Sequence, residues 1–401
     1  MKTNRHITLP AGFVAGAVRC GIKRREVEDV AIIAASGGAV PAAMVTTTNQ
    51  VVGAPVRWNR GVLPKGHGHV RAIAANAGCS NTCNGPRGDR DAATMAKLTA
   101  QGVGCAANEV LIASTGVIGQ PMPMEKLRAG ILGAAAALGT QSDDAVARAI
   151  MTTDTRPKTA IVQARIAGGH ITVAGVAKGS GMIAPSMATM LVFVTTDAAV
   201  TSPALHKVLR AAADPTFNAI TVDGDTSTSD TLIVLASGAA ANHPITGGAD
   251  ADRLRGALQE VCGALAESIV RDGEGATKLV RVTVRGAASD RDARLAARTI
   301  AESPLFKCAV HGGDPNWGRI LAAAGRSSAR VDQDRASCKL GGITVMRRGT
   351  SCPFDLKAVQ AHMAGTEILV DLDLRLGSGR FTVLTCDLSR EYIAINADYH
   401  T

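Results

Sequence analysis

Short apolar segments alternate with helical segments along most of this chain, and that alternation limits the possible folds more than any other feature. Residues 30–34 (VAIIA), 71–75 (RAIAA) and 190–196 (MLVFVTT) are typical of short buried strands. Residues 125–150 are Ala-rich and are predicted to be helical, and leucine, valine and isoleucine recur at three- and four-residue spacing over residues 254–269. The pattern predicts a mixed α/β fold whose sheets are covered by helices.

Glycine-containing turns predict two β-hairpins. Gly168 and Gly169 separate AIVQARI from HITVAG within residues 160–174. Apolar residues also alternate with other side chains over residues 280–285 and 368–373, which is typical of half-buried strands. After the second of these, residues 377–379 (GSG) lead into FTVLT, which predicts the other hairpin.

The charge balance does not point to a nucleic-acid partner. The net charge is +9, but lysine and arginine are scattered and only 2% of residues are aromatic, so few rings are available to stack on bases. We therefore interpret the basic residues as a solvated surface. A basic nucleic-acid-binding module remains the non-enzymatic alternative, and it predicts salt-sensitive affinity.

Cysteine usage and hydropathy favour a cytoplasmic protein. The nine cysteines are an odd number and include no pair at CxxC spacing, so we expect reduced thiols and neither a disulfide framework nor a metal site. No apolar run approaches the roughly 18 residues that span a membrane.

The segment from Lys178 to Thr196, KGSGMIAPSMATMLVFVTT, has the features expected around a nucleophile. A glycine-rich turn leads to Ala188 and Thr189 and then directly into an apolar strand. If the bond between them is cut, Thr189 gains a free α-amine beside its hydroxyl. An α-amine has a pKa of about 7.7–8, which suits a general base at neutral pH. One residue would then supply both nucleophile and base.

A structural role for Thr189 and a nucleotide-binding role for the loop are the alternatives to that hypothesis. A threonine at the start of a strand is common and alone says little. GSGMIA also fits a loose dinucleotide-binding pattern, but Pro185 stands where the required helix would begin. No GxSxG motif occurs, which disfavours a conventional serine hydrolase.

Residues 178–191, KGSGMIAPSMATML, resemble the cleavage segment of the ornithine acetyltransferases, also called glutamate N-acetyltransferases. Other blocks resemble the same family in order along nearly the whole chain. They are STGVIG at 114–119, IMTTDTRPK at 150–158, DGDTSTSDTL at 223–232, RDGEGATK at 271–278, HGGDPNWGRI at 311–320 and INADYHT at 395–401. Together these blocks are highly specific.

The resemblance implies a set of site residues. Thr189 would be the nucleophile, released by cleavage between Ala188 and Thr189, and Thr115 and Gly116 would form the oxyanion hole. Substrate contacts are implied for Thr152, Lys178, Thr189, Glu274, Asn396 and Thr401. Thr153 or Thr155 remains an alternative to Thr152, in a segment expected to be a strand.

The Asp223–Asp225 pair is predicted to form a side-chain-bonded turn and not a metal site. The Asp314–Arg319 segment is expected to be a structural loop near the active site.

The resemblance also implies a fold, a mechanism and an assembly. The fold would be the layered α-β-β-α arrangement of N-terminal-nucleophile-like enzymes. The chain would divide into residues 1–188 and 189–401, two copies of each forming a heterotetramer. Acetyl would pass from N²-acetylornithine to Thr189 and then to glutamate, without metal or prosthetic group. Whether acetyl-CoA is also a donor stays open. A related N-terminal-nucleophile amidase or aminopeptidase is the enzymatic alternative.

Overall fold

The computed structural model describes residues 6–184 and 190–398. Over these two ranges the chain forms sixteen strands: β1 (Phe13–Val18), β2 (Val30–Ala35), β3 (Val40–Thr46), β4 (His67–Val70), β5 (Ala72–Cys79), β6 (Val110–Val117), β7 (Lys158–Ile166), β8 (Gly169–Lys178), β9 (Leu191–Thr196), β10 (Thr231–Ala236), β11 (Leu279–Ala287), β12 (Ser337–Leu340), β13 (Ile343–Arg347), β14 (Thr350–Ser351), β15 (Glu367–Asp373) and β16 (Gly379–Cys386).

Helices separate many of these strands. The same ranges contain eleven α-helices: α1 (Ala54–Val62), α2 (Gly85–Val103), α3 (Met124–Ala136), α4 (Asp143–Ala149), α5 (Ser202–Ala213), α6 (Gly248–Arg271), α7 (Asp290–Ala301), α8 (Pro304–His311), α9 (Trp317–Gly325), α10 (Leu356–Met363) and α11 (Arg390–Asp398). The predicted alternation of strands and helices is confirmed.

The strands form three sheets. The first sheet has the order β1-β2-β5-β6, and the second has the order β4-β3-β10-β9-β8-β7. The third has the order β14-β13-β12-β15-β11-β16 and comes entirely from the C-terminal third of the chain. The second sheet combines strands from both sides of the predicted cleavage point, so that the two predicted fragments share one hydrogen-bonded ladder.

The first and second sheets face each other across an apolar core. Ile73 and Leu111 of the first sheet share this core with Leu191, Phe193 and Ile233 of the second. Because successive side chains of a strand point to opposite faces, the residues adjacent to these in sequence point away from the other sheet. The space between the two sheets is therefore filled by alternate residues of each strand.

Helices cover the two outer faces. Ile112 of the first sheet packs in one cluster with Leu127 of α3, and helix α2 contributes to the same cluster. Val192 and Val194 of the second sheet pack in another cluster with side chains of α5 and α6. The layer order is helix, sheet, sheet, helix, which confirms the predicted α-β-β-α arrangement.

The third sheet corrects one prediction. The alternation at 280–285 is confirmed, because Val280, Val282 and Val284 are buried under α7 to α10. However, β15 and β16 do not pair with each other: β11 lies between them, parallel to β15 and antiparallel to β16. The predicted second hairpin is therefore wrong. The glycine turn correctly indicated that the chain reverses direction, but a turn does not determine which strand the returning segment pairs with.

The other local predictions differ in outcome. β7 and β8 pair antiparallel around Gly168, which confirms the first hairpin. The helix predicted over 125–150 is two helices, α3 and α4. Between them Gly139 exchanges two backbone hydrogen bonds with Ala15 of β1, of 2.8 and 2.9 Å, so pairing with the sheet edge interrupts the helix.

Candidate active site

The loop between β8 and β9 holds the predicted cleavage point. Lys178 and Leu191 are paired across the two strands, so the loop leaves and re-enters the second sheet at neighbouring positions. Ala188 and Thr189 lie outside the described residues, as does Thr401. Their predicted roles therefore depend on the described residues that flank the loop.

Backbone hydrogen bonds hold both described ends of this loop to carboxylates. The N–H of Gly179 donates to Asp154 Oδ1 at 2.7 Å. The N–H of Met182 and of Ile183 donate to the two carboxylate oxygens of Asp223, at 2.6 and 2.9 Å. On the far side, the Met190 N–H donates to Asp230 Oδ1 at 2.9 Å. Carboxylates from two separate parts of the chain, Asp154 and the segment 223–230, thus fix the loop ends.

Lys178 is a buried cation at the point where the loop begins. Its side chain is 3% exposed, and within residues 6–184 and 190–398 it has no carboxylate within 4.0 Å. Burial lowers the pKa of Lys178, and the charges of Asp154, Asp230 and Glu274 oppose that effect. A buried, unpaired ammonium is costly unless a partner compensates it. An anionic or carbonyl-bearing substrate would supply that partner.

Glu274 and Asn396 come together beside this loop. Glu274 follows the C-terminal end of α6, and its backbone N–H donates to Ser180 O at 2.9 Å. Its Oε2 accepts from the side-chain amide of Asn396, on α11, at 2.8 Å. Gly181 makes the approach possible, since a Cβ there would lie 2.4 Å from Glu274 Oε2. Two of the predicted substrate contacts are thereby adjacent.

The predicted oxyanion pair lies at the end of β6. Thr115 is 4% exposed and lies on the same side of the strand as Leu111, toward the second sheet. Gly116 has a φ of 125° and pairs with Gly78 of β5. A Cβ on Gly116 would lie 2.4 Å from the Gly78 carbonyl carbon, so both its backbone angle and the close approach require glycine.

The threonine-rich segment is a loop and not the expected strand. Residues 150–157 connect α4 to β7 without forming a ladder, and their polar groups bond to carboxylates instead. The Thr152 N–H donates to Asp154 Oδ2 at 3.0 Å. Thr153 shares a 2.6 Å hydroxyl–hydroxyl hydrogen bond with Ser180, and Thr155 donates to Asp272. The hydroxyls of Thr153 and Thr155 thus have partners, whereas the Thr152 hydroxyl has no hydrogen bond within the described residues.

A buried ion-pair network, missed in the sequence, supports this loop. Lys158 is fully buried and its ammonium contacts Asp154 at 2.6 Å and Asp272 at 2.5 Å. Asp154 also binds the backbone of Thr152 and Gly179. The network therefore ties the threonine loop, the start of the cleavage loop and the end of α6 to one position. The sequence around Lys158 gave little sign of the network, since Asp154 is four residues away but Asp272 is brought in from the end of α6 by the fold.

Asp230 is a second residue that sequence reasoning missed. It is fully buried, and its Oδ2 has no hydrogen-bond partner in the described part of the chain. Burial raises the pKa of Asp230 well above its ordinary value, against the opposing effects of the Met190 N–H and of Lys178. Its position one residue before an apolar strand, in the block at 223–232, was the available signal.

The remaining sequence predictions also have structural outcomes. Asp225 donates its N–H to Asp223 Oδ1 at 3.2 Å, which confirms the side-chain-bonded turn. Burial raises the pKa of Asp223 to about 6. Asn316 accepts a hydrogen bond from the Arg319 N–H at 3.1 Å and caps α9, so the Asp314–Arg319 segment has a structural role.

No helix within residues 6–184 and 190–398 is long and apolar enough to cross a membrane. In those same ranges, no group of three or more His, Cys, Asp or Glu side chains is arranged to hold a metal ion.

Two facing sheets between helical layers, with a site at the strand ends near a glycine-rich loop, define the α-β-β-α class of N-terminal-nucleophile type. Residues 14–401 match the model of the ArgJ family, and the chain belongs to that family. It is 48% identical over 400 residues to the "Arginine biosynthesis bifunctional protein ArgJ" of Symbiobacterium thermophilum, covering 98% of each chain. The protein of the same name from Dehalococcoides mccartyi is 46% identical over 98% of this chain and 97% of its own.

A solved structure provides a further comparison. The crystal structure of the arginine biosynthesis bifunctional protein ArgJ from Bacillus halodurans is 41% identical, with a TM-score of 0.50. The match covers 98% of that solved chain but 52% of this one. The solved chain therefore corresponds to about half of the present sequence.

Proposed function

We propose that this chain transfers acetyl from N²-acetylornithine to glutamate, giving ornithine and N-acetylglutamate in arginine biosynthesis. The observation that carries the proposal is the convergence of Lys178, Glu274 and Asn396 beside the β8–β9 loop, from three distant parts of the chain. A buried ammonium suits a substrate carboxylate or carbonyl, and the Glu274 carboxylate suits the side-chain ammonium of ornithine.

The nucleophile in this proposal is Thr189. Its Oγ first attacks the carbonyl carbon of Ala188, and water hydrolyses the resulting ester to leave a carboxylate on Ala188 and a free amine on Thr189. The amine then takes the proton of the Thr189 hydroxyl during acetyl transfer. The half-length match to the Bacillus halodurans chain supports cleavage, since residues 189–401 are 213 of the 401 residues.

The acetyl group moves in two half-reactions. Thr189 Oγ attacks the acetyl carbon of the donor, and the tetrahedral intermediate is stabilised by the Thr115 hydroxyl and the Gly116 N–H. The protonated α-amine of Thr189 then gives its proton to the donor nitrogen, the bond from that nitrogen to the acetyl carbon breaks, and ornithine leaves. The α-amine of glutamate then attacks the acetyl-Thr189 ester and restores the hydroxyl. Thr152, Lys178, Glu274, Asn396 and Thr401 bind the substrates. The reacting groups are those of Thr189 and of the two substrates, so the scheme as written uses no metal or prosthetic group.

The proposal extends to the assembly and its setting. The fragments 1–188 and 189–401 stay together because β8 and β9 remain paired, and two copies of each form a heterotetramer in the cytoplasm. The relatives are named bifunctional, which supports acetyl-CoA as a second donor to the same Thr189. Acetyl-CoA would then replace acetylornithine as the acetyl donor, and the transfer from acetyl-Thr189 to glutamate would be unchanged.

The test compares transfer with hydrolysis. Consumption of N²-acetylornithine is measured with and without glutamate, and N-acetylglutamate is quantified by mass spectrometry. We expect consumption to require glutamate and to match the N-acetylglutamate formed. Equal consumption without glutamate would instead identify the related N-terminal-nucleophile hydrolase, in which the acyl-enzyme reacts with water.

A further inference from the structure

Lys23 lies in a loop that is locked by a single carboxylate. The backbone N–H groups of Cys20, Gly21, Ile22 and Lys23 donate to the carboxylate of Asp29, at 2.7, 2.9, 2.6 and 3.2 Å. Asp29 is fully buried. Because four backbone N–H groups of this loop donate to the same carboxylate, the loop has little conformational freedom. The backbone of Lys23 is therefore held in one position.

The Lys23 ammonium is only partly satisfied. It donates to the carbonyl oxygens of Glu28 and Arg148, at 2.9 and 3.0 Å. An ammonium has three donors, so one has no partner among the described residues. The side chain of Glu28, whose backbone carbonyl accepts from Lys23, is already paired with Arg148 at 2.8 Å. Lys23 is thus a half-buried cation whose own chain, over the described ranges, places no carboxylate within 4.0 Å of it.

The surroundings place Lys23 beside the candidate active site. A Cβ on Gly78 would lie 3.5 Å from the Lys23 backbone nitrogen, and Gly78 is the ladder partner of Gly116. Arg148, which accepts from the ammonium, is four residues before Thr152. Burial lowers the pKa of Lys23 to about 8, with Asp29 and Asp154 opposing that effect and Lys178 adding to it.

The two substrates differ in a way that requires a second cation. Both carry one α-carboxylate, but acetylornithine ends in an ammonium and glutamate ends in a carboxylate. Glu274 suits the first side chain and repels the second. Lys178, which interacts electrostatically with Glu274, can neutralise one carboxylate. Glutamate has two carboxylates, so the carboxylate that Lys178 does not bind needs another cation as its partner.

We propose that Lys23 binds the side-chain carboxylate of glutamate and so selects the acceptor in the second half-reaction. The assignment rests on the acetyl transfer proposed above. It leaves Lys178 for the α-carboxylate common to both substrates, and Glu274 for the ammonium of the donor. One site can then hold two substrates whose side chains have opposite charge.

The experiment measures the two half-reactions separately in Lys23→Met. Release of ornithine in a single turnover without acceptor reports the first half-reaction. Decay of the isolated acetyl-enzyme with glutamate, or with glutamine as a neutral analogue, reports the second. Lys126→Met is the matched control, because Lys126 is an exposed lysine that donates to Gly21 O of the same loop at 2.7 Å.

We expect Lys23→Met to release ornithine at the wild-type rate and to lose about 10- to 100-fold in the second-order rate constant for glutamate, the usual cost of losing a charged hydrogen bond. The rate with glutamine should stay unchanged, so the preference for glutamate falls by the same factor. Lys23→Arg should recover part of it, and Lys126→Met should behave as wild type.

Two results would overturn the assignment. Equal losses in both half-reactions would show that Lys23 only supports the structure, and an unchanged preference for glutamate would show that it does not contact the acceptor. A wild-type enzyme that transferred no acetyl to glutamate would overturn the proposed function together with this assignment.

Discussion

The side-chain amide of Asn396 donates a 2.8 Å hydrogen bond to Oε2 of Glu274. Asn396 lies in α11 and Glu274 follows α6, so the bond joins the last described helix to the segment after α6, whose Glu274 N–H also donates to Ser180 O. It fixes one carboxylate oxygen and leaves Oε1 for a substrate ammonium. In the proposed reaction, this pair binds the side-chain ammonium of acetylornithine.

Removing the charge of Glu274 tests that assignment. We expect Glu274→Gln to raise the KM for N²-acetylornithine by about 10- to 100-fold, because the donor loses a charged hydrogen bond. The amide oxygen of glutamine can still accept from Asn396, so the fold should be preserved. The control is Glu391→Gln, which changes an exposed glutamate on the same helix as Asn396. Steady-state kinetics with donor as the varied substrate would show an unchanged KM if Glu274 is not a contact.

Breaking the buried network around Lys158 should weaken the whole fold. Lys158→Met leaves Asp154 and Asp272 buried without their shared cation, and we expect it to lower the free energy of unfolding by about 3–5 kcal/mol. Arg253→Met, which removes an exposed ion pair with Asp250, should cost no more than about 1 kcal/mol. Urea unfolding measures both. A loss at Lys158 no larger than that at Arg253 would mean that the network contributes little.

Asp223 should give the stability a dependence on acid pH. Its folded pKa of about 6 is above the ordinary value of 3.8, so the folded state holds this proton more tightly than the unfolded state does. The resulting stabilisation is complete below about pH 4 and is lost as the pH rises through 6.

Asp223→Asn tests this pH dependence. The free energy of unfolding is measured with urea at pH 4, 5, 6 and 7 and plotted against pH. We expect the variant to lack the Asp223 contribution to the slope of that plot, even if it is less stable at every pH. Asp252→Asn, at an exposed carboxylate on α6, should keep the wild-type slope. An identical slope in Asp223→Asn would contradict the assignment.

The sequence predicted those features that depend on local patterns. Val280, Val282 and Val284 alternate because one face of β11 is buried, and that period is visible in any half-buried strand. Gly168 marks a hairpin because β7 and β8 are also neighbours in the chain. The position of β11 between β15 and β16 depends on long-range pairing, which no turn sequence encodes.

The same distinction applies to the site. Glu274 and Asn396 were predicted through family resemblance, and their contact follows from the close packing of α11 against Gly275, the residue after Glu274. Asp230 and Lys158 were missed because buried charges are recognised by their surroundings and not by their neighbours in sequence. The threonine loop was expected to be a strand, but the carboxylates of Asp154 and Asp272 satisfy its backbone and hydroxyl groups in place of a ladder.

Substituting the proposed nucleophile should prevent both chemical events. Because the hydroxyl of Thr189 drives its own release, we expect Thr189→Ala to remain one polypeptide on a denaturing gel and to transfer no acetyl. Thr201→Ala, at the residue preceding α5, is a control that should be cleaved normally. Two fragments from Thr189→Ala would show that another group, or a protease, makes the cut.

Intact mass spectrometry of the purified, active wild-type protein tests the central claim most directly, with N-terminal sequencing of any second fragment. The account predicts fragments of 188 and 213 residues, the second beginning Thr-Met-Leu-Val-Phe. A fully active enzyme that consisted of one unbroken chain of 401 residues would contradict it.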